Sequence, residues 1–176
     1  FEIARLGIGR KFQVPSVCPE STVGDNLSIA LWAGRITLPQ MFSEKPFRWT
    51  TPLLSRMETL FPFLTRPAQT ASALSLGERQ MLEFAMANLA EPRLILLDEP
   101  CAGLSTAETA HMIEAIAALH AETGAAALII EHDMQVVERL ADHVHVLHLG
   151  ALLAEGTVAE IKASEAVRAV YTGGSK

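Results

Sequence analysis

Leu94-Ile95-Leu96-Leu97-Asp98-Glu99-Pro100 is the stretch on which the fold turns. Four apolar residues without a polar break predict a strand buried on both faces, as in a parallel sheet, and two carboxylates and a proline end it. Downstream, Ser105 and Glu108 stand at capping-box spacing. Met112, Ile113, Ile116 and Leu119 then recur at helical period as far as Gly124, which predicts an amphipathic helix with a glycine stop. Ala127-Leu128-Ile129-Ile130 predicts a second buried strand, ending at Glu131-His132-Asp133. A short helix with Val136, Val137 and Leu140 apolar follows. Alternation at Val144, Val146 and Leu149 predicts a further strand, which Gly150 turns and Leu152-Leu153 returns. Thr157 and Glu160, another capping box, open the last helix before the tail Gly173-Gly174-Ser175-Lys176. Strand, helix, strand, helix, strand in that order predicts an α/β fold built on a parallel sheet.

Upstream the pattern changes. Ile8 to Gln13 predicts a short strand that Val14-Pro15 ends, and from about Glu20 to Pro92 helical segments dominate. Pro39 to Pro67 is rich in proline, threonine and aromatics and shows no clean period. The expected organisation is an α/β core from residues 1–19 and 91–176, interrupted by an α-helical subdomain over residues 20–90.

Composition bounds what such a chain does. At 176 residues it is of single-domain size. Fourteen Lys plus Arg against 20 Asp plus Glu leave a net charge of −6, which argues against non-specific nucleic-acid binding, because that needs a basic face. Apolar residues at 49% are enough for a core, yet no run reaches the roughly 18 to 20 residues a bilayer requires. Cys18 and Cys101 are too few for a disulfide framework or a four-ligand zinc site. These features predict a soluble, intracellular globular chain.

Open parallel sheets bind ligands at the carboxyl ends of their strands. Asp98 and Glu99 at such an end suit a division of labour, one supporting Mg²⁺ and the other polarising an attacking water. His132 ends the next strand and is expected on the same sheet edge, and Gln13 follows the first strand. Ser75 and Gly77, in Leu74-Ser75-Leu76-Gly77-Glu78-Arg79-Gln80, precede the helical repeat Leu82, Ala85, Met86, Leu89. A helix start offers free N–H groups to a phosphate, and glycine permits close approach. Each signal is weak alone, since acidic loops and serine caps are common.

Together, in this order, they resemble the ATP-binding subunits of ABC transporters over nearly the whole chain. Gln13 matches the Q-loop, Leu74 to Gln80 the signature motif, Leu94 to Glu99 the Walker B strand, Ala102-Gly103-Leu104-Ser105 the D-loop and His132 the switch histidine. The stretch Gly7 to Ser16 looks most like the urea-importer ATPase subunit, and Val167 to Gly173 is similar to the closing helix of the branched-chain amino acid branch. The resemblance implies a RecA-like core with a helical subdomain, and ATP and Mg²⁺ as cofactors. It implies that Glu99 activates water, that His132 contacts the γ-phosphate, that Asp98 and Gln13 support Mg²⁺, and that Ser75 and Gly77 touch ATP held by a second ATPase subunit. Permease subunits, and indirectly a solute-binding protein, are the implied partners, with the chain peripheral on the cytoplasmic membrane face and no nucleic acid involved.

The chain departs from the family in places. G-x-x-x-x-G-K-[ST], the Walker A motif, appears nowhere in it. In the family that motif lies upstream of the Q-loop, so the expectation is an N-terminally truncated subunit with half an active site and an uncovered apolar sheet face that favours association. Leu76 and Glu78 replace the usual Gly and Gln of the signature, Ser105 stands where the D-loop Asp is common, and Cys101 is expected to serve packing. Strand alternation places His143 and His145 on one face and His148 on the other, so these three are not expected to converge on a metal. The competing readings are an ABC ATPase in a non-transport role, and a non-catalytic interaction module.

Overall fold

The computed structural model describes residues 6–13, 16–32 and 51–173. It divides into two units, residues 1–130 and 131–176.

In the first unit three parallel strands, β1 (Ile8–Lys11), β2 (Leu94–Asp98) and β3 (Ala126–Ile130), lie in the order β1-β2-β3. Ile8 pairs with Leu94, and Leu97 with both Lys11 and Ile129, so the carboxyl ends of all three strands share one edge. The helices are α1 (Val23–Trp32), α2 (Pro52–Leu60), α3 (Leu76–Leu89) and α4 (Thr106–Thr123), with short 3₁₀ turns at Pro62–Thr65 and Ala71–Ala73. Helix α4 supplies the crossover between the parallel strands β2 and β3. Its start and stop are those the sequence predicts: Ser105 and Glu108 close a capping box, and Gly124 ends the helix at φ +66°. Glycine is favoured there because a Cβ would crowd the left-handed backbone.

Helix α3 is the central element of this unit. Met81, Leu82, Phe84, Ala85 and Leu89 are all buried, and Phe84 meets Phe61 edge-on at 6.2 Å between ring centroids. Leu97, Met112, Ile116 and Leu119 complete the apolar core, each such side chain contributing about 2 kcal/mol of burial. Helix α3 also passes so close to β1 that a Cβ on Gly9 would lie 3.0 Å from the Ala87 carbonyl oxygen and from Pro92 Cγ. Only glycine lets strand and helix approach this closely.

One sequence expectation is corrected. The Ala127–Ile130 strand is not buried: Leu128 and Ile130 are 59% and 58% exposed. Among the described residues it pairs only with β2, and apolar content by itself does not say how many neighbours a strand has. The Val144 strand pairs antiparallel with the Leu152-Leu153 strand, as the Gly150 turn predicts, because a two-residue turn returns the chain on itself at once. Within Pro39 to Pro67, residues 51–67 form helix α2 and a 3₁₀ turn, with Thr51 as N-cap, Pro52 in the first turn and Leu54, Met57, Phe61, Phe63 and Leu64 buried. The nine-residue helix is too short to show a period. Residues 39–50, Val14-Pro15, Phe1 and the tail beyond Gly173 lie outside the described residues.

The second unit contains α5 (Met134–Leu140), the hairpin β4 (Val144–His148) and β5 (Ala151–Gly156), α6 (Val158–Ala163) and α7 (Glu165–Gly173). Leu149 and Gly150 have φ of +48° and +80°, the pair of positive values that a tight hairpin turn matching the strand twist demands. Val136, Ile161 and Val167 are buried, and Thr157 and Glu160 close the predicted capping box on α6.

Candidate functional site

The ends of β1 and β2 bring three predicted residues together. Gln13 Nε2 donates a hydrogen bond to Glu99 Oε2 at 2.6 Å. Glu99 directly follows Asp98, the last residue of β2, and its N–H donates to the Ile130 carbonyl at 2.9 Å, tying it to the end of β3. Its φ of +43° is unusual for a residue with a side chain; such strain costs about 1 kcal/mol or more and collects at functional sites. Asp98 faces Arg10 Nη2 at 3.8 Å, a half-exposed pair of little energetic weight. Arg10 in turn lies over the Phe12 ring, 4.3 Å from its centroid.

Beneath Gln13 lies a buried network. Lys11, fully buried, places Nζ 3.7 Å from Glu83 Oε2 and donates to the Phe12 carbonyl at 3.1 Å. Glu83 Oε1 accepts from the Ser16 N–H at 3.0 Å and its hydroxyl at 2.6 Å. Gln80 Nε2 donates to the Gln13 carbonyl at 3.4 Å. Both Gln80 and Glu83 belong to α3. The segment carrying Gln13 is therefore anchored at both ends to the helix that begins at Ser75.

Ser75 is the N-cap of α3, with φ −60° and ψ 166°. Its hydroxyl accepts from the Glu78 N–H at 3.1 Å, while Glu78 Oε2 accepts from the Ser75 N–H at 2.9 Å. Gly77, in the first turn, is buried beside the Glu108 carboxylate, in the space a Cβ would occupy. Hydrogen bonds from the Ser105 side chain and then its backbone N–H hold the Glu108 carboxyl below its ordinary value, so an anion stands next to Gly77. Leu76 lies close enough to Gly103 that a Cβ there would be 3.1 Å from Leu76 Cδ2. The first turn of α3 is thus packed on the segment leading into α4. His132 is exposed, in the second unit, two residues beyond the end of β3.

Residues 2–102 match the ABC transporter family. The chain belongs to that family. Residues 151–176 match the branched-chain amino acid ATP-binding cassette transporter family, which includes the closing helix α7. The high-affinity branched-chain amino acid transport ATP-binding protein LivG of Salmonella typhimurium is 33% identical over 98% of this chain and 70% of its own length. BraF of Pseudomonas aeruginosa, of the same description, is 35% identical with the same coverage. Among solved structures, an ATP-binding cassette of an ABC transporter in its ADP conformation superposes with a TM-score of 0.76 at 27% identity, over 98% of this chain and 70% of that one. The α/β architecture is thus that of an ABC ATPase, the ATP-hydrolysing subunit of a transporter. Subunits of this kind work with transmembrane permease components, and no helix among the described residues is long and apolar enough to cross a membrane.

Arg10, Lys11, Ser16, Gln80, Glu83 and Glu108 are not singled out as site residues by the sequence. One signal was available: Glu83 interrupts an otherwise apolar helical face at Leu82, Ala85 and Met86, and a charge there demands a buried partner.

Proposed function

We propose that this chain is the ATP-hydrolysing subunit of an importer for a branched-chain amino acid, or for urea or a related small amide. The observation that carries the catalytic part is the Gln13–Glu99 hydrogen bond at the carboxyl edge of the parallel sheet. A carboxylate and an amide oxygen beside Asp98 form an all-oxygen donor set of the kind that suits Mg²⁺ with nucleotide phosphates. When bound, Mg²⁺ neutralises charge on the phosphates. Glu99 orients and deprotonates the attacking water, Asp98 supports the ion, and Gln13 couples the occupancy of the site to α3 through its anchored loop. His132 supplies a γ-phosphate contact. Phosphoryl transfer requires little more than such positioning and charge stabilisation.

Ser75 and Gly77 serve ATP bound mainly by a second ATPase subunit, through the free N–H groups of α3. Dividing the phosphate contacts between two chains makes hydrolysis depend on their closure, which converts ATP binding into movement of the permease on the cytoplasmic membrane face. Residues 20–90 act as the helical subdomain that carries this movement. The solute class is supported by the match of residues 151–176 and by LivG and BraF; urea is supported by the stretch Gly7 to Ser16.

The test is Glu99→Gln in the natural subunit assembled with its permease. ATP binding is retained while hydrolysis falls about 100-fold or more. Hydrolysis at the normal rate would remove Glu99 from the mechanism. Uptake of urea compared with leucine by the same assembly decides the solute.

A further inference from the structure

We propose that His143, His145 and Glu155 form a binding site for one divalent transition-metal ion of the zinc or nickel type on the β4–β5 hairpin. Each residue contributes one donor atom, and the three atoms lie within 4.8 Å of one another. His145 Nδ1 and Glu155 Oε2 are 3.2 Å apart. Metal–ligand bonds of about 2.0 to 2.2 Å in tetrahedral geometry set donor atoms about 3.4 Å apart, so this pair already stands at coordination spacing. The His143 ring lies 4.9 Å from that of His145 between centroids, with its donor atom within 4.8 Å of the other two.

The arrangement follows from the hairpin. His145 and Glu155 are directly opposed in the strand register, which brings their side chains together on one face. His143 immediately precedes β4 and its ring packs against that of His145, while Val144 and Val146 are the half-buried alternates. The three histidines of this segment do not converge; a glutamate from the neighbouring strand takes the place that His148 cannot. All three ligands are exposed, so further coordination positions remain open to water. Two imidazoles with one carboxylate select borderline ions such as Zn²⁺, Ni²⁺, Co²⁺ and Cu²⁺ over Mg²⁺, which prefers oxygen alone.

The test is calorimetric titration of zinc or nickel chloride into the chelator-treated 176-residue chain, above neutral pH so that protons do not compete. One ion binds per chain. His143→Ala or His145→Ala weakens binding about tenfold or more, Glu155→Gln weakens it measurably, and His148→Ala leaves it unchanged. In the unsubstituted chain, imidazole NMR shows the resonances of His143 and His145 shifted by the ion and that of His148 unmoved. No saturable binding, binding that survives His143→Ala/His145→Ala together, or an NMR shift confined to other histidines overturns the proposal.

Discussion

Gln13 and Glu99, separated by 86 positions in sequence, are joined by a 2.6 Å hydrogen bond from amide to carboxylate. A contact of this kind fixes the orientation of the carboxylate at the end of β2. Gln13→Ala is expected to lower ATP hydrolysis, and combined with Glu99→Gln to lower it no further than Glu99→Gln alone. Residues acting as one unit are non-additive, and a double-mutant cycle on hydrolysis rates measures it. Additive losses would separate the two residues.

The Lys11–Glu83 pair predicts a stability effect of opposite character. Both side chains are buried, so Glu83→Ala removes the counter-charge of Lys11 and the acceptor of Ser16 together. The expected cost is about 3 kcal/mol, read as a shift in urea midpoint at constant slope. Lys11→Met with Glu83→Leu replaces the pair by apolar groups of similar size, and restores at least half of that loss.

Ser75 has two roles that substitution separates. Ser75→Ala loses the cap of α3 and about 1 kcal/mol of stability. Ser75→Asp keeps the cap, because aspartate caps as well as serine, so stability changes by less than about 0.5 kcal/mol. Its added charge nonetheless opposes a phosphate at the helix start, and hydrolysis falls about 100-fold. Wild-type hydrolysis in Ser75→Asp would place the phosphate elsewhere.

Acid weakens the capping boxes. The Glu108 carboxyl is lowered from 4.5 by Ser105, so the folded chain binds that proton less tightly than the unfolded chain. The contribution is complete above about pH 4.5 and is lost as pH falls further, through the folded-state value. Denaturant midpoints measured from about pH 6 downward should fall less steeply in Glu108→Gln than in the parent chain.

The open face of β3 predicts association. Leu128 and Ile130 expose most of their surface on a strand that pairs only with β2 among the described residues, a template for pairing with another copy. Light scattering of the 176-residue chain should show oligomers, and Leu128→Lys with Ile130→Lys should shift them towards monomer. A monodisperse monomer in the parent chain contradicts this.

Sequence and structure divide along a physical line. The capping boxes at Ser105 and Thr157, the Gly124 stop, the Gly150 turn and the existence of each strand were legible, because local spacing alone specifies them. The order Gln13, Ser75, Asp98, Glu99, His132 was also legible, and with it the family. The Lys11–Glu83 pair and the Glu155 contribution to the histidine face were not, because register between distant segments selects those partners.

By itself the sequence determined the strands, the capped starts of the helices at Ser75, Ser105 and Thr157, and which residue types stand at strand ends, but not helix α2 or the break between α6 and α7. Only the tertiary structure decided that Leu128 and Ile130 stand exposed on β3, that Gln13 bonds Glu99, and that Glu83 holds the loop between them. Propensity, capping and turn chemistry act over a few residues, whereas pairing and burial depend on which segments meet once the chain has closed.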